Sequence, residues 1–354
     1  MKTPSKNVPC RTRHSVQPFA TFKLSRFSFS LALAATLCGL AVSGLSIECV
    51  QAQAASSAIS ADHSAWVQAP GELIRPDCVH EVPNGAVVEV TDEGQVTGDV
   101  TLNGALIAHY NACSESPVIT RPRRHTEGVA NPPSTGNGWI EASQREASLS
   151  SSDNLDFLSG TWTVPSYPSL LSGQLLYVFN AIEPSSSDWI LQPVLQYGVS
   201  PAGGGNYWAI AGWLVGANGY AFHSPLVKVS PGNSIFGYTE MTAVSGNTSY
   251  WGVEARDTTT GGYSWITAHV SGQHWTWAYA AVLEAYNVTS CMDFPNDGRA
   301  VFNDTVVDHG FPKYESLSQT GWYGAIYSYG GPSCEFAVVA GSESTLRWMQ
   351  TANF

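Results

Sequence analysis

The chain has 354 residues, 44% hydrophobic and only 12% charged, with 33 Gly, 12 Trp and 15 Tyr. That balance argues against a helical cytosolic protein and for an exported, turn-rich β protein with room for one large domain and a smaller companion. The net charge is −12, and removal of the basic leader described next leaves ten basic against twenty-seven acidic residues, a net of −17, which argues against nucleic acid and anionic membranes as partners and suits work in acid, where self-repulsion falls.

Lys2, Lys6, Arg11, Arg13, Lys23 and Arg26 form a basic region, residues 27–47 are apolar, and Ala52-Gln53-Ala54 gives a small-x-small cleavage signal. Residues 1–54 therefore read as a signal peptide, with the mature start near Ala55 and a secreted or periplasmic destination. A retained membrane anchor is the competing reading, since the apolar stretch is about long enough to span a bilayer. Its Gly, Ser and Thr content favours cleavage.

Cys10, Cys38 and Cys49 go with the leader, leaving Cys78, Cys113, Cys291 and Cys334. Four cysteines in an exported chain suggest two disulfides in one of three pairings. Cys78–Cys113 and Cys291–Cys334 are preferred because each stays within one expected domain. No close Cys/His spacing suggests zinc, and neither a metal nor another cofactor is expected.

Residues 55–117 read as a small β segment, a possible propeptide, with a strong hairpin signal at Asn103-Gly104. Residues 118–137 are rich in Pro, Gly and Arg (Arg121, Arg123, Arg124) and read as an exposed, mobile linker. It is either a processing site or a plain interdomain connection. From Gly138 to the end, short alternating strands and turns recur without long helical periodicity, which predicts a two-sheet antiparallel β-sandwich over 138–354.

Within that domain, Trp275 to Val288 has no Gly or Pro and reads as a long strand. Strict alternation puts Ala278, Ala280, Val282, Glu284, Tyr286 and Val288 on one face, and Trp277, Tyr279, Ala281, Leu283 and Ala285 on the other. Glu284 is then the one charge on an apolar strand, a candidate acid or base if buried and an ordinary carboxylate if its face meets water.

Four blocks in series carry a family resemblance: Gly138-Trp139, Gly160-Thr-Trp-Thr-Val-Pro-Ser, Val194-Leu-Gln-Tyr-Gly-Val and Ala280-Ala-Val-Leu-Glu-Ala-Tyr. Over about 138–310 the chain resembles the eqolisins, glutamic peptidases with a β-sandwich fold. The resemblance implies a metal-independent endopeptidase acting on polypeptides; with the leader and the basic linker, the chain is expected to be secreted, monomeric and, if the linker is a processing site, made as a zymogen. It implies Gln196 and Glu284 as the catalytic pair, with Tyr177, Glu183 and Trp213 lining the substrate cleft. Gln192 competes with Gln196, because residues four apart face the same way on a regular strand. Pro193 is expected to interrupt that regularity, and the Leu-Gln-aromatic-Gly context points to Gln196. The chain departs from the family at Trp208-Ala-Ile-Ala-Gly-Trp213, where two acidic cleft residues are missing.

A different class competes: a non-catalytic, lectin-like sandwich whose Trp and Tyr residues stack on sugars. A glycoside hydrolase would need two closely spaced carboxylates, and only Glu284 stands out. No Gly-x-Ser-x-Gly elbow supports a serine hydrolase.

Overall fold

The computed structural model describes residues 65–90, 98–111, 113–122, 138–216, 219–327 and 334–350. The expected leader, and the expected linker beyond residue 122, lie outside them. The protein is an all-β sandwich of two large sheets. The nine-stranded sheet runs Tyr323–Ile326, Gly138–Glu146, Trp275–Tyr286, Leu175–Pro184, Trp189–Ser200, Gly203–Gly216, Tyr220–His223 and Val79–Glu81, with Val227–Val229 beside Gly203–Gly216. The eleven-stranded sheet is centred on Arg299–His309, Leu155–Thr163, Ser234–Ser245, Thr248–Asp257 and Tyr263–Ser271. Two apolar clusters fill the space between them, one around Trp162, Leu195, Leu283 and Phe302, the other around Leu158, Leu191, Trp251 and Ile266. Both expected disulfides, Cys78–Cys113 and Cys291–Cys334, are formed.

The central strands Leu175–Pro184 and Trp275–Tyr286 are buried at every position. An antiparallel strand with one wet face would alternate, so both faces of this sheet are covered. The eleven-stranded sheet covers one. The N-terminal segment covers the other with a third small sheet, Val67–Ala69, Glu72–Ile74 and Val118–Ile119. Its Ala69 and Ile74 are fully buried in a third apolar cluster with Tyr177, Phe179, Trp213, Val282 and Tyr286.

The rest of the N-terminal segment is built into the sandwich. Val79–Glu81 adds in parallel to Tyr220–His223, and Val87–Val90 adds in parallel to Tyr263–Ser271. Gly98–Leu102 and Ala105–Tyr110 extend the same sheet, joined by the Asn103-Gly104 turn with both residues at positive φ.

Three expectations are corrected. The stretch after residue 117 is not an exposed linker at its start: Val118–Ile119 pairs with Glu72 and Leu73, and Arg121 is 3% exposed. The physical reason is an ion pair between Arg121 and Glu183, which draws the guanidinium inside. Alternation along Trp275–Tyr286 is broken by a bulge between Tyr279 and Ala281. The extra residue turns Trp277 and Tyr279 to the same face as Val282 and Tyr286, while Ala278 joins the inter-sheet core. Pro193 does not interrupt its strand, which runs unbroken from Trp189 to Ser200. The ladder to Leu175–Pro184 merely skips the pairs between Phe179↔Val194 and Ile182↔Leu191, where proline has no N–H to give.

Candidate active site

The strand Leu175–Pro184 lies between the strand of Gln196 and the strand of Glu284. Tyr177 is in register with Gln196 on one side and with Glu284 on the other. Residues directly opposite across a ladder share a face, so Gln196, Tyr177 and Glu284 form one row on the covered face. Two ladder steps separate the outer pair, roughly 10 Å between backbones.

Glu284 is fully buried. Its carboxylate accepts from the Gly71 backbone N–H at 2.9 and 3.0 Å, from Thr120 Oγ1 at 3.5 Å and from the Tyr286 hydroxyl. Burial pushes its pKa up to about 7, against the lowering effect of those donors and of Arg121. At acid pH the covered Glu284 therefore holds a proton. Tyr177 is also fully buried, and burial and the nearby Glu284 charge keep its phenol neutral. Its hydroxyl donates to the Gln68 carbonyl at 2.8 Å.

Gln196 is turned away from Glu284. Its Nε2 donates to the carbonyls of Gly198 and Gly203 at 3.2 and 2.8 Å, and its Oε1 accepts from Ser200 Oγ at 2.9 Å. The amide is seated in its own hairpin. A Cβ at Gly204, which has φ +108°, would lie 2.5 Å from Gln196 Nε2 and 2.3 Å from the Gly198 carbonyl oxygen, so only glycine leaves room.

Glu183 is buried beside this row. Arg121 Nε donates to its Oε1 at 2.9 Å and the Tyr279 hydroxyl to its Oε2 at 2.6 Å, while Arg121 Nη2 reaches the Ser187 carbonyl at 2.8 Å. Trp213 has no exposed surface; it is in register with Gln192 and packs against His223. A further carboxylate, Glu72, is fully buried near Glu284 and Arg121. Burial and the Glu284 charge hold its pKa well up, against the pull of Arg121. Three buried carboxylates thus share one guanidinium.

Sequence reasoning missed everything supplied by the cover: Gln68, Pro70, Gly71, Glu72, Thr120 and the inward role of Arg121. The Pro70-Gly71 pair was a readable turn signal. It forms the tip of the hairpin between Val67–Ala69 and Glu72–Ile74, with Gly71 at φ +90°. Its docking on Glu284, 213 positions away, left no local mark.

No protein-family model and no curated protein matches the chain. Among solved structures, a scytalido-glutamic peptidase with a peptide-based transition state analog is similar at 16% identity and a TM-score of 0.42, over 60% of this chain and 98% of that one. A second, with a transition state analog inhibitor, gives 17% and 0.41 over the same shares. SCP-B, a member of the Eqolisin family of peptidases in complex with the tripeptide Ala-Ile-His, gives 17% and 0.39 over the same shares. Of the twelve tryptophans, Trp139, Trp162, Trp189, Trp208, Trp213, Trp251, Trp275, Trp277 and Trp348 are buried, which removes most of the stacking surface a lectin would need. Among the described residues, no helix is long and apolar enough to cross a membrane.

Proposed function

We propose that this chain is a secreted glutamic endopeptidase held latent by its own N-terminal segment. The observation that carries the reading is Glu284: a water-excluded carboxylate on the covered face, in one cross-strand row with Tyr177 and Gln196. Once uncovered and rehydrated, Glu284 ionises more readily and takes a proton from water as general base. The hydroxide oxygen bonds to the peptide carbonyl carbon. The proton then passes from Glu284 to the amide nitrogen as the C–N bond breaks, leaving a carboxylic acid and an amine. Gln196 is the amide partner in the row, with an oxygen able to accept from the water, while its amide hydrogens are held by Gly198 and Gly203. Neither a metal nor a covalent intermediate enters this scheme. Tyr177, Glu183 and Trp213 line the substrate's place, now filled by Val67–Ile74. Residues 1–54 act as the signal peptide, and the segment up to residue 137 as the inhibitory part.

The test is casein digestion by the chain uncovered by Gly71→Pro, between pH 2 and 7 in the presence of EDTA, pepstatin and serine-protease inhibitors. Hydrolysis resistant to all three is expected, with none in Glu284→Gln or Glu284→Ala. Activity surviving in Glu284→Ala overturns the reading.

A further inference from the structure

We propose that Gln192, not assigned above to any step, is the side-chain amide that holds the carbonyl oxygen of the peptide group facing Glu284. This rests on the hydrolase reading. The observation is a single peptide group, the one joining Pro70 to Gly71. Its N–H donates to both oxygens of Glu284, at 2.9 and 3.0 Å, and its carbonyl oxygen accepts from Gln192 Nε2 at 3.0 Å. A carbonyl oxygen only accepts, so the nitrogen end of the Gln192 amide must face it.

Those contacts are the ones hydrolysis needs. The nitrogen that must be protonated as the C–N bond breaks lies on the carboxyl group, and the oxygen that gains negative charge as water adds to the carbon lies on an amide donor. Tyr177 adds a second grip on the same strand of peptide, at the Gln68 carbonyl. The cover is therefore held through its main chain, at the last strand residues and the tip of its hairpin. The class of ligand is a polypeptide recognised by backbone, with little demand on its side chains.

Gln192 is suited to the task by its surroundings. It is fully buried, and its Oε1 has no hydrogen-bond partner among the described residues. It lies on the cleft face four residues from Gln196, on a strand that Pro193 leaves intact. Gln196 has both amide hydrogens committed to Gly198 and Gly203. The two glutamines then divide the work, Gln192 holding the carbonyl and Gln196 remaining for the water.

The experiment uses the full chain carrying Gly71→Pro, which removes the N–H that Glu284 receives and cannot adopt φ +90°. Into it are placed Gln192→Met, close in shape but without a donor, and separately Glu284→Gln. Casein hydrolysis is followed, together with binding of a labelled peptide of residues 66–75. We expect Gln192→Met to lower turnover about a hundredfold, the scale for losing one oxyanion donor, with a much smaller change in KM. It should weaken peptide binding about tenfold, as for one lost buried hydrogen bond. Unchanged turnover in Gln192→Met with activity abolished in Glu284→Gln overturns the Gln192 role and leaves the hydrolase reading standing. Activity retained in Glu284→Gln overturns the hydrolase reading itself. Unchanged peptide affinity in Gln192→Met overturns the Gln192 role whatever the activity, and a thermal melt of each variant identifies any loss due to misfolding.

Discussion

The backbone N–H of Gly71 donates to both carboxylate oxygens of Glu284. A hairpin tip thus occupies the position that the proposed function assigns to substrate and water. Replacing Gly71 with proline removes the donor and forbids the tip's conformation at φ +90°. The full-length Gly71→Pro chain is expected to hydrolyse casein at least tenfold faster than the parent. Equal rates, with both proteins folded by circular dichroism, would show that the tip does not restrain the site.

The pH dependence of the cover has a definite sign. Glu284 has an ordinary pKa of 4.5, raised to about 7 in the covered state. The covered state thus binds the proton more tightly than the open one, and its advantage is complete below pH 4.5 and lost as pH rises through 7. Glu72, also raised by burial, acts in the same direction. Asp257 and Asp293, whose hydrogen bonds lower their pKa, lose their stabilisation only below the ordinary aspartate range, outside this window. Hydrogen exchange of residues 67–74 should therefore speed up between pH 4.5 and 7.5, beyond the intrinsic pH effect. Glu284→Gln should flatten the trend. Greater protection at pH 7.5 than at 4.5 would contradict the assignment.

Sequence carried the pieces of this arrangement unevenly. The strand of Glu284 was legible because it is a long run without Gly or Pro, and that of Gln196 because Val194-Leu-Gln-Tyr-Gly-Val alternates. The face of Trp277 and Tyr279 was not, because one extra residue at Ala280 reverses the alternation and a bulge leaves no composition signal. Arg121 read as part of a basic linker because its partner, Glu183, lies 62 positions away. The same holds for the cover as a whole: Ala69, Pro70 and Ile74 make an ordinary short hairpin, and only tertiary packing puts its tip on a carboxylate. Gln192 was visible as a competitor of Gln196, and Pro193 argued against it; the strand accommodates that proline by skipping ladder pairs on one side.

Among the described residues, Arg121 is the cation beside Glu72, Glu183 and Glu284. Its side chain and that of Glu183 are each 1% exposed. Removing one partner of such a pair strands the other charge, at a cost of about 3–5 kcal/mol. Arg121→Met should therefore lower the urea midpoint of unfolding strongly, and Glu183→Gln in the same chain should restore much of the loss. A midpoint unchanged in Arg121→Met would mean that the pair contributes little to the cover.

Cutting the chain between residues 122 and 138 should not release the N-terminal piece. That piece is joined to the sandwich by two parallel pairings, Val79–Glu81 with Tyr220–His223 and Val87–Val90 with Tyr263–Ser271. It also places Val82, Ala86, Val88, Val90 and Val100 in the core around Trp251 and Ile266. Each fully buried valine contributes about 1.5–3 kcal/mol relative to exposure, so the four valines together outweigh the entropy gained by separation, roughly 4–15 kcal/mol at a standard concentration, only with the help of Ala86, the two ladders and the hairpin. The cut protein is therefore expected to stay associated at micromolar concentration and to come apart on dilution or in mild denaturant. No disulfide joins the pieces, since Cys78–Cys113 lies within one and Cys291–Cys334 within the other. An inserted protease site and size-exclusion chromatography of the cut, unreduced protein provide the check. A single peak that resolves into two bands on a denaturing gel is the expected result, with casein hydrolysis still restrained. Immediate separation into two peaks would mean that the covalent connection, rather than the shared sheets, keeps the hairpin over Glu284.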